Sequence, residues 1–384
     1  MEPPKILSLY YKYTGGGLVK VMGQVLHLCV KQGWEIHYIS VEPYPMQYHL
    51  LVPHILWTPF KRHRSILFWT YFTLLTPVYA LFIARRHRAN LLLLHGIHYG
   101  LCAVLTKCFL HIPYLLYVHS DPEELSRFHA HPFPVRLAER WIGSLTVARA
   151  AKIITVSESL RRMILARYEI PESQVQTLYN WVDIKRVPFR EARRQLCQEF
   201  GFQNEDFLII TTAVFSSRKN IEFLIRGFAL AQAVHAVLLI IGDGGDPSLR
   251  SRLEGVAREQ GVRDKIIFAG WQVDVRRFLC GSDLFVLPSL HEGCPLSLLE
   301  ALRCGVPSLG SDIPEIREVL GSEDLLFSLK DETELADKIR RATQDRAYYQ
   351  LLCERTLQAG KLLATDWEAS MIGLIKETFV GSES

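Results

Sequence analysis

Two doubly wound, Rossmann-like α/β halves are the fold class the sequence predicts, and three observations predict it. Apolar runs of strand length alternate with longer amphipathic runs from Lys5 onward, the pattern of βα units on a parallel sheet. The chain has 384 residues, enough for two domains that each bury a core. The series also restarts. After Thr177-Leu178-Tyr179-Asn180-Trp181-Val182-Asp183 come charged, less patterned residues, and a second strand–helix series opens at Phe207. We therefore expect domains over 1–182 and 183–365, followed by a terminal helix within 366–384.

In the first half, Lys5–Tyr10 reads as a strand, Thr14-Gly15-Gly16-Gly17 as a turn, Leu18–Gln32 as a helix and Glu35–Ser40 as a second strand. The helix carries apolar residues at Leu18, Val21, Met22, Val25, Leu26 and Cys29 and stops near Gly33, where a left-handed residue is favoured. Gly16 and Gly17 are candidate residues for close backbone approach to a ligand; a plain tight turn is the alternative. The glycines do not spell Gly-x-Gly-x-x-Gly, so a dinucleotide fingerprint is excluded.

Ser65–Ala84 is twenty residues without a charge, long enough to cross a bilayer. Pro77 interrupts it, and Lys61-Arg62-His63-Arg64 and Arg85-Arg86-His87-Arg88 flank both ends, unlike the one-sided bias of a spanning helix. A half-buried domain helix, an interfacial helix and a true span all stay open. Strands follow at Ala89–Leu94 and Pro113–Val118, helices at Tyr99–Cys108 and Val135–Ala150, then a strand and a Ser-capped helix through Ala151–Ser159. His119-Ser120-Asp121 closes one of these strands, at the carboxyl edge where α/β sites gather.

The second half reads as strands at Phe207–Ala213, Ala236–Ile241, Lys265–Ala269, Leu284–Leu287 and Val306–Leu309. Helices fall at Asn220–Ala233, Pro247–Gln260, Pro295–Arg303, Glu332–Thr343 and Asp366–Phe379. The stretch richest in chemistry is Ser289-Leu290-His291-Glu292-Gly293-Cys294-Pro295-Leu296-Ser297-Leu298-Leu299-Glu300-Ala301-Leu302. A buried strand, a tight turn and a helix whose first turn holds Pro295 would leave free amides at the helix start, a ready anion site. Glu292 and Glu300 flank it. Ser216-Ser217-Arg218-Lys219-Asn220 places two adjacent cations after a strand, suited to phosphate oxygens.

Hydrophobic residues make up 49% and charged residues 22% of the chain, which excludes a disordered or fibrous class. Net charge is +4, yet residues 1–180 carry 19 Lys and Arg against 10 Asp and Glu, and residues 181–384 carry 25 against 30. A basic first half points to an anionic partner such as a membrane face or a phosphorylated acceptor; a solvated basic face is the plainer reading. The eight cysteines form no Cys-x2-Cys pair and sit among apolar residues as core fillers. Met1-Glu2-Pro3-Pro4 gives no basic start of a signal peptide, so the expected location is cytoplasmic, with membrane association as a variant.

The motif Glu292-x7-Glu300, embedded as above and followed by Cys304-Gly305-Val306-Pro307, resembles the signature of glycosyltransferase family 4, retaining enzymes of the GT-B fold. The resemblance implies a sugar moved from a nucleotide sugar to a glycan or lipid-linked acceptor. It implies an acceptor domain first, a donor domain second, a cleft between them, and a last helix that crosses back; Thr365-Asp366-Trp367-Glu368 resembles that helix's start. It also implies roles. Glu292 and His119 become the catalytic candidates. Gly16, Gly17, Arg218, Lys219, Gly242, Trp271, Gly293, Cys294, Pro295, Leu296 and Glu300 become donor contacts, with Glu300 on the ribose and Trp271 beside the base. One departure stands out: family members often carry Gly-Arg-Leu before the Lys, whereas this chain has Ala213-Val214-Phe215, leaving Arg218 to substitute. No Asp-x-Asp follows a strand, so no metal or other cofactor is expected, and nucleic acid is not an expected partner.

Overall fold

The computed structural model describes residues 3–10, 17–45, 48–60, 66–121, 133–243, 247–362 and 366–380. It divides into two compact units, Met1–Asn180 with Asp366–Ser384, and Trp181–Thr365.

The first unit runs β1 (Lys5–Leu9), α1 (Gly17–Lys31), β2 (Glu35–Ser40), β3 (Leu51–Ile55), α2 (Ile66–Arg86), β4 (Leu91–His95), α3 (Gly100–Leu110), β5 (Tyr114–Val118), α4 (Phe133–Arg149), β6 (Lys152–Thr155), α5 (Glu158–Arg167) and β7 (Val175–Thr177). The seven strands form one sheet in the order β3-β2-β1-β4-β5-β6-β7, and every pairing is parallel. Strands covered on both faces must be apolar throughout, and β4 and β5 are buried at every position. Each fully buried Leu there contributes roughly 1.5–3 kcal/mol. Ser157 caps α5 by accepting from the Leu160 amide at 3.2 Å, as its sequence position predicts.

The second unit contains α6 (Phe189–Phe200), β8 (Phe207–Thr212), α7 (Ile221–Ala231), β9 (Ala236–Ile241), α8 (Pro247–Glu259), β10 (Ile266–Gly270), α9 (Arg276–Cys280), β11 (Leu284–Leu287), α10 (Leu296–Cys304), β12 (Ser308–Ser311), α11 (Pro314–Leu320), β13 (Leu326–Phe327), α12 (Thr333–Gln344) and α13 (Arg346–Leu362). Its sheet order is β10-β9-β8-β11-β12-β13, again all parallel. Both sheets thus reverse direction of growth beside their first strand, at β1/β4 and at β8/β11. Such a reversal opens a crevice at the carboxyl ends of the strands. The final helix, α14 (Trp367–Val380), belongs to the first unit and packs on α1 and β5. Asp366 caps it, accepting from the Ala369 amide at 3.0 Å, and Lys31 meets Glu368 at 2.9 Å.

Several elements escape the sequence reading. β3 holds Pro53 at its centre; it is tolerated because β3 is an edge strand, where a missing N–H breaks no ladder. The charged stretch after the boundary is helix α6, whose pattern is masked by a buried arginine. Arg193, 3% exposed, donates to the Gly281 carbonyl at 3.0 Å and pairs with Asp283 at 3.1 Å. Short β7 and β13 and helices α9 and α11 are runs too short to stand out, and α13 interleaves charged and polar residues with its apolar ones.

The apolar stretch in question is α2, a crossover helix. It joins β3 to β4, and both strands lie in one sheet, so the chain between them returns across that sheet and does not span a bilayer. Phe68, Phe72, Thr76, Pro77, Ala80, Ile83 and Ala84 are buried, a stripe along one side of the helix that faces the core. Leu67, Leu74, Val78 and Phe82 on the other side are 67%, 65%, 65% and 56% exposed.

Candidate functional site

The second unit's crevice is built by two strand exits. β8 ends at Thr212, and its continuation is pinned to the exit of β9: the Ala213 amide donates to the Ile241 carbonyl at 2.9 Å, and Phe215 to Asp243 at 3.1 Å. This approach is why position 242 is glycine. Its φ is +131°, and a Cβ there would lie 1.8 Å from the Ala213 carbonyl oxygen. Buried Phe215 anchors the loop, which then forms a single 3₁₀ turn, Ser217–Lys219, before α7 begins. The two cations therefore sit in that turn, ahead of the helix.

β11 supplies the other wall. Beyond it, the Leu290 amide donates to the Arg218 carbonyl at 2.8 Å, locking the two loops together. Arg218 Nη1 in turn donates to the His291 carbonyl at 2.8 Å and to Glu292 Oε2 at 2.9 Å. Lys219 Nζ donates to Glu292 Oε1 at 2.5 Å. Glu292 is 5% exposed. Burial pushes its carboxyl up, but the Lys219 and Arg218 charges override burial and hold it at about 2. Burial also pulls Lys219 down, with Glu292 acting in the opposite sense; at this separation the ionised pair is the state the geometry fits. Two cations on one carboxylate leave a net positive charge at the crevice.

Pro295 stands one place earlier than the sequence pattern puts it, at the N-cap (φ −74°, ψ 102°), and α10 starts at Leu296. The first intrahelical bonds run from Leu298 and Leu299 to the Pro295 carbonyl, at 3.0 and 3.1 Å. Amides before them have no carbonyl one turn back to reach. Gly293, Cys294 and Pro295 are buried, Leu296 is half-buried, and Glu300 is 8% exposed on α10. Trp271, just past β10, is 52% exposed. The Thr212 and Ser297 hydroxyls, at the end of β8 and the start of α10, are buried with no hydrogen-bond partner among the described residues, so a ligand or water there would satisfy them. Sequence reasoning missed both.

The first unit presents a different set. His119 follows β5, and its Nε2 lies 3.3 Å from Nδ1 of His95, the last residue of β4. The rings stack at 5.5 Å between centroids and 21° between planes, and the Tyr117 ring centroid is 4.1 Å from that of His119. Burial lowers His95 to about 3, and burial with the His95 neighbour lowers His119 well below the usual histidine range. Both are neutral at pH 7. His95 is the residue the sequence reading overlooked; the signal was a polar residue ending Leu91-Leu92-Leu93-Leu94. Asp121 is committed to Arg167 by two bonds of 2.8 and 3.0 Å. Gly17 opens α1, and Gly16 lies outside the described residues. His119 belongs to the first unit, whereas Arg218, Lys219, Gly242, Trp271, Glu292–Leu296 and Glu300 belong to the second.

Comparison with known proteins identifies the fold and the family. Residues 15–186 match the family Glycosyltransferase Family 4, and residues 206–345 match Glycosyl transferases group 1. The chain is 27% identical over 371 residues to N-acetyl-alpha-D-glucosaminyl L-malate synthase of Bacillus anthracis, covering 92% of this chain and 91% of that protein. Sucrose-phosphate synthase of Thermosynechococcus elongatus superposes with a TM-score of 0.81 at 18% identity, over 98% of this chain and 100% of that one. Anabaena HepE, solved with UDP and glucose, does so with 0.79 at 16% identity, over 98% and 100%. These two similarities speak for the fold alone. Motif, strand order and family matches converge: the chain is a glycosyltransferase of family 4, with the GT-B fold.

Proposed function

We propose that this enzyme transfers a sugar from a nucleoside diphosphate sugar, with retention of anomeric configuration, to a glycan or lipid-linked glycan at a membrane face. What carries the reading is the cluster of buried Glu292 with half-buried Arg218 and Lys219 beside the start of α10. A departing diphosphate concentrates negative charge on its oxygens, and stabilisation of that charge is the main tool of such a site. Arg218 and Lys219 are fixed in place by Glu292 before any ligand arrives, so little reorganisation is needed on binding. The diphosphate then meets the remaining donor hydrogens of both cations and the amides at the start of α10, while Glu292 turns its carboxylate to sugar hydroxyls and to the positive charge that develops at the anomeric carbon. Glu300 takes the ribose, and His119 the reacting sugar. Two protein cations do the neutralising work that Mg²⁺ does elsewhere, so transfer proceeds without added Mg²⁺.

Relatives favour a nucleotide donor and, through the lipopolysaccharide core biosynthesis glycosyltransferase LpsD of Rhizobium meliloti (32% identical over 143 residues, 37% of this chain and 40% of that protein), a surface-glycan product. Anabaena HepE has been solved with UDP-glucose, and a 213-residue segment, 53% of this chain and 26% of the relative, is 30% identical to the serotype-specific mannosyltransferase WbdA of Escherichia coli. The membrane contact rests on the first unit's own surface. Helices α2, α3 and α4 pack side by side and leave Leu74, Val78, Phe82, Phe109 and Trp141 exposed, with Arg85, Arg86 and Arg149 exposed beside them. Exposed apolar side chains on helices that end in arginine suit an anionic bilayer surface.

Thermal-shift screening against a panel of nucleoside diphosphate sugars identifies the donor, since a ligand that binds only the folded state raises the melting point. Nuclear magnetic resonance of the product formed with that donor then reads the anomeric configuration. Retention supports the proposal and inversion refutes it.

A further inference from the structure

The first half of the chain holds 12 of its 14 histidines, and three of them converge away from the sites described above. His37 lies in β2, His54 in the edge strand β3, and His87 directly after α2. One ring nitrogen of each lies within 4.8 Å of the other two. His37 Nδ1 is 2.9 Å from His54 Nε2, and the His87 ring centroid is 4.2 Å from that of His37 and 5.0 Å from that of His54. Since α2 returns the chain to the amino edge of the sheet, His87 marks that edge, whereas His119 follows the carboxyl end of β5.

We propose that His37, His54 and His87 bind one divalent transition-metal ion of the zinc class, with water completing the coordination. Imidazole is a ligand of choice for such ions, and three histidines plus water form a four-coordinate site. Metal–nitrogen bonds of about 2.0–2.1 Å in a tetrahedron set the nitrogens roughly 3.4 Å apart, a spacing these rings reach by small rotations. Glu35 supplies the outer support: its Oε1 is 3.0 Å from His37 Nε2. A carboxylate there accepts a hydrogen bond from Nε2–H, which fixes the tautomer and leaves the Nδ1 lone pair for the metal. Lys5 Nζ lies 3.8 Å from the other Glu35 oxygen and steadies that carboxylate. His37 is buried, while His54 and His87 are half-exposed, which gives an ion access. Bound metal would tie β3, which has a sheet neighbour on one side only, to β2 and to the end of α2.

The test uses untagged full-length protein, stripped with a chelator, dialysed and titrated with Co²⁺ and then Zn²⁺. The expected result is saturable binding of one equivalent, visible bands of four-coordinate cobalt that zinc abolishes, and a higher melting temperature with zinc. The double variant His54→Ala/His87→Ala loses the bands and the zinc-dependent stabilisation while its metal-free far-UV spectrum is unchanged. Glu35→Gln keeps the site and weakens zinc binding roughly 10–100-fold. His87→Cys retains a ligand and adds a thiolate-to-cobalt band at the same stoichiometry, a readout that does not depend on the double variant's folding. Failure of the native chain to bind saturably, bands that survive in the double variant, or a thiolate band in the native protein, which would place the metal on cysteine, each overturns the proposal.

Discussion

The two sheets share one strand order at their reversal points, yet the residues at those points differ in kind. At β8/β11 the chain places two half-buried cations on a buried, ionised carboxylate. Beside β1/β4, at the ends of β4 and β5, it places two neutral histidines, His95 buried and His119 half-buried. Topology thus supplies the crevice in both units, and the strand-exit residues decide its chemistry. A charged crevice can meet a diphosphate; a neutral, hydrogen-bonding one can meet a sugar hydroxyl without attracting the phosphates.

The contrast can be broken most forcefully at Glu292. Glu292→Gln is expected to lower kcat/KM by about 10³-fold and to destabilise the free enzyme by roughly 3–5 kcal/mol, because two cations lose their buried counter-charge. Added inorganic diphosphate should raise the variant's melting temperature more than that of the native enzyme. Equal shifts would mean the anion does not meet these cations. Gly242→Ala comes next. Its Cβ collides with the Ala213 carbonyl at a positive φ, and urea unfolding should report a loss of more than about 2 kcal/mol. His119→Ala, on the neutral side, should reduce kcat by about 10²-fold with donor affinity and melting temperature nearly unchanged; a parallel loss of stability would mark the residue as structural.

Acid separates the units with the smallest effect. His95, lowered to about 3 from 6.5, refuses in the folded state a proton that the unfolded chain accepts, so stability is lost as pH falls below 6.5. Glu292, lowered to about 2 from 4.5, contributes stability that is complete above 4.5 and lost as pH falls toward 2. Hydrogen exchange near pH 5 should therefore show the first sheet loosening while the second keeps its protection.

How much of this was legible in the sequence follows from the distance over which each feature is assembled. Leu284–Leu302 encodes strand, turn and helix in one contiguous stretch, and both glutamates could be read from it. The pairing of Arg218 with Glu292 joins residues 74 apart, and only the sheet order brings them together. His95 and the trio at His37, His54 and His87 are likewise products of strand pairing. Pro53 and Arg193 hid β3 and α6 for a local reason: each breaks a pattern that its tertiary setting, an open sheet edge or a buried cage of carbonyls, makes harmless.

The central claim is that the cations after β8 hold the donor's diphosphate. Calorimetric titration of the nucleoside diphosphate of the identified donor, beside its bare nucleoside, measures this in the native enzyme and in Lys219→Ala. The account predicts that the diphosphate's advantage over the nucleoside, about 10²-fold or more, collapses in the variant while nucleoside affinity stays the same. An advantage that survives the loss of Lys219, or an equal weakening of both ligands, would contradict it.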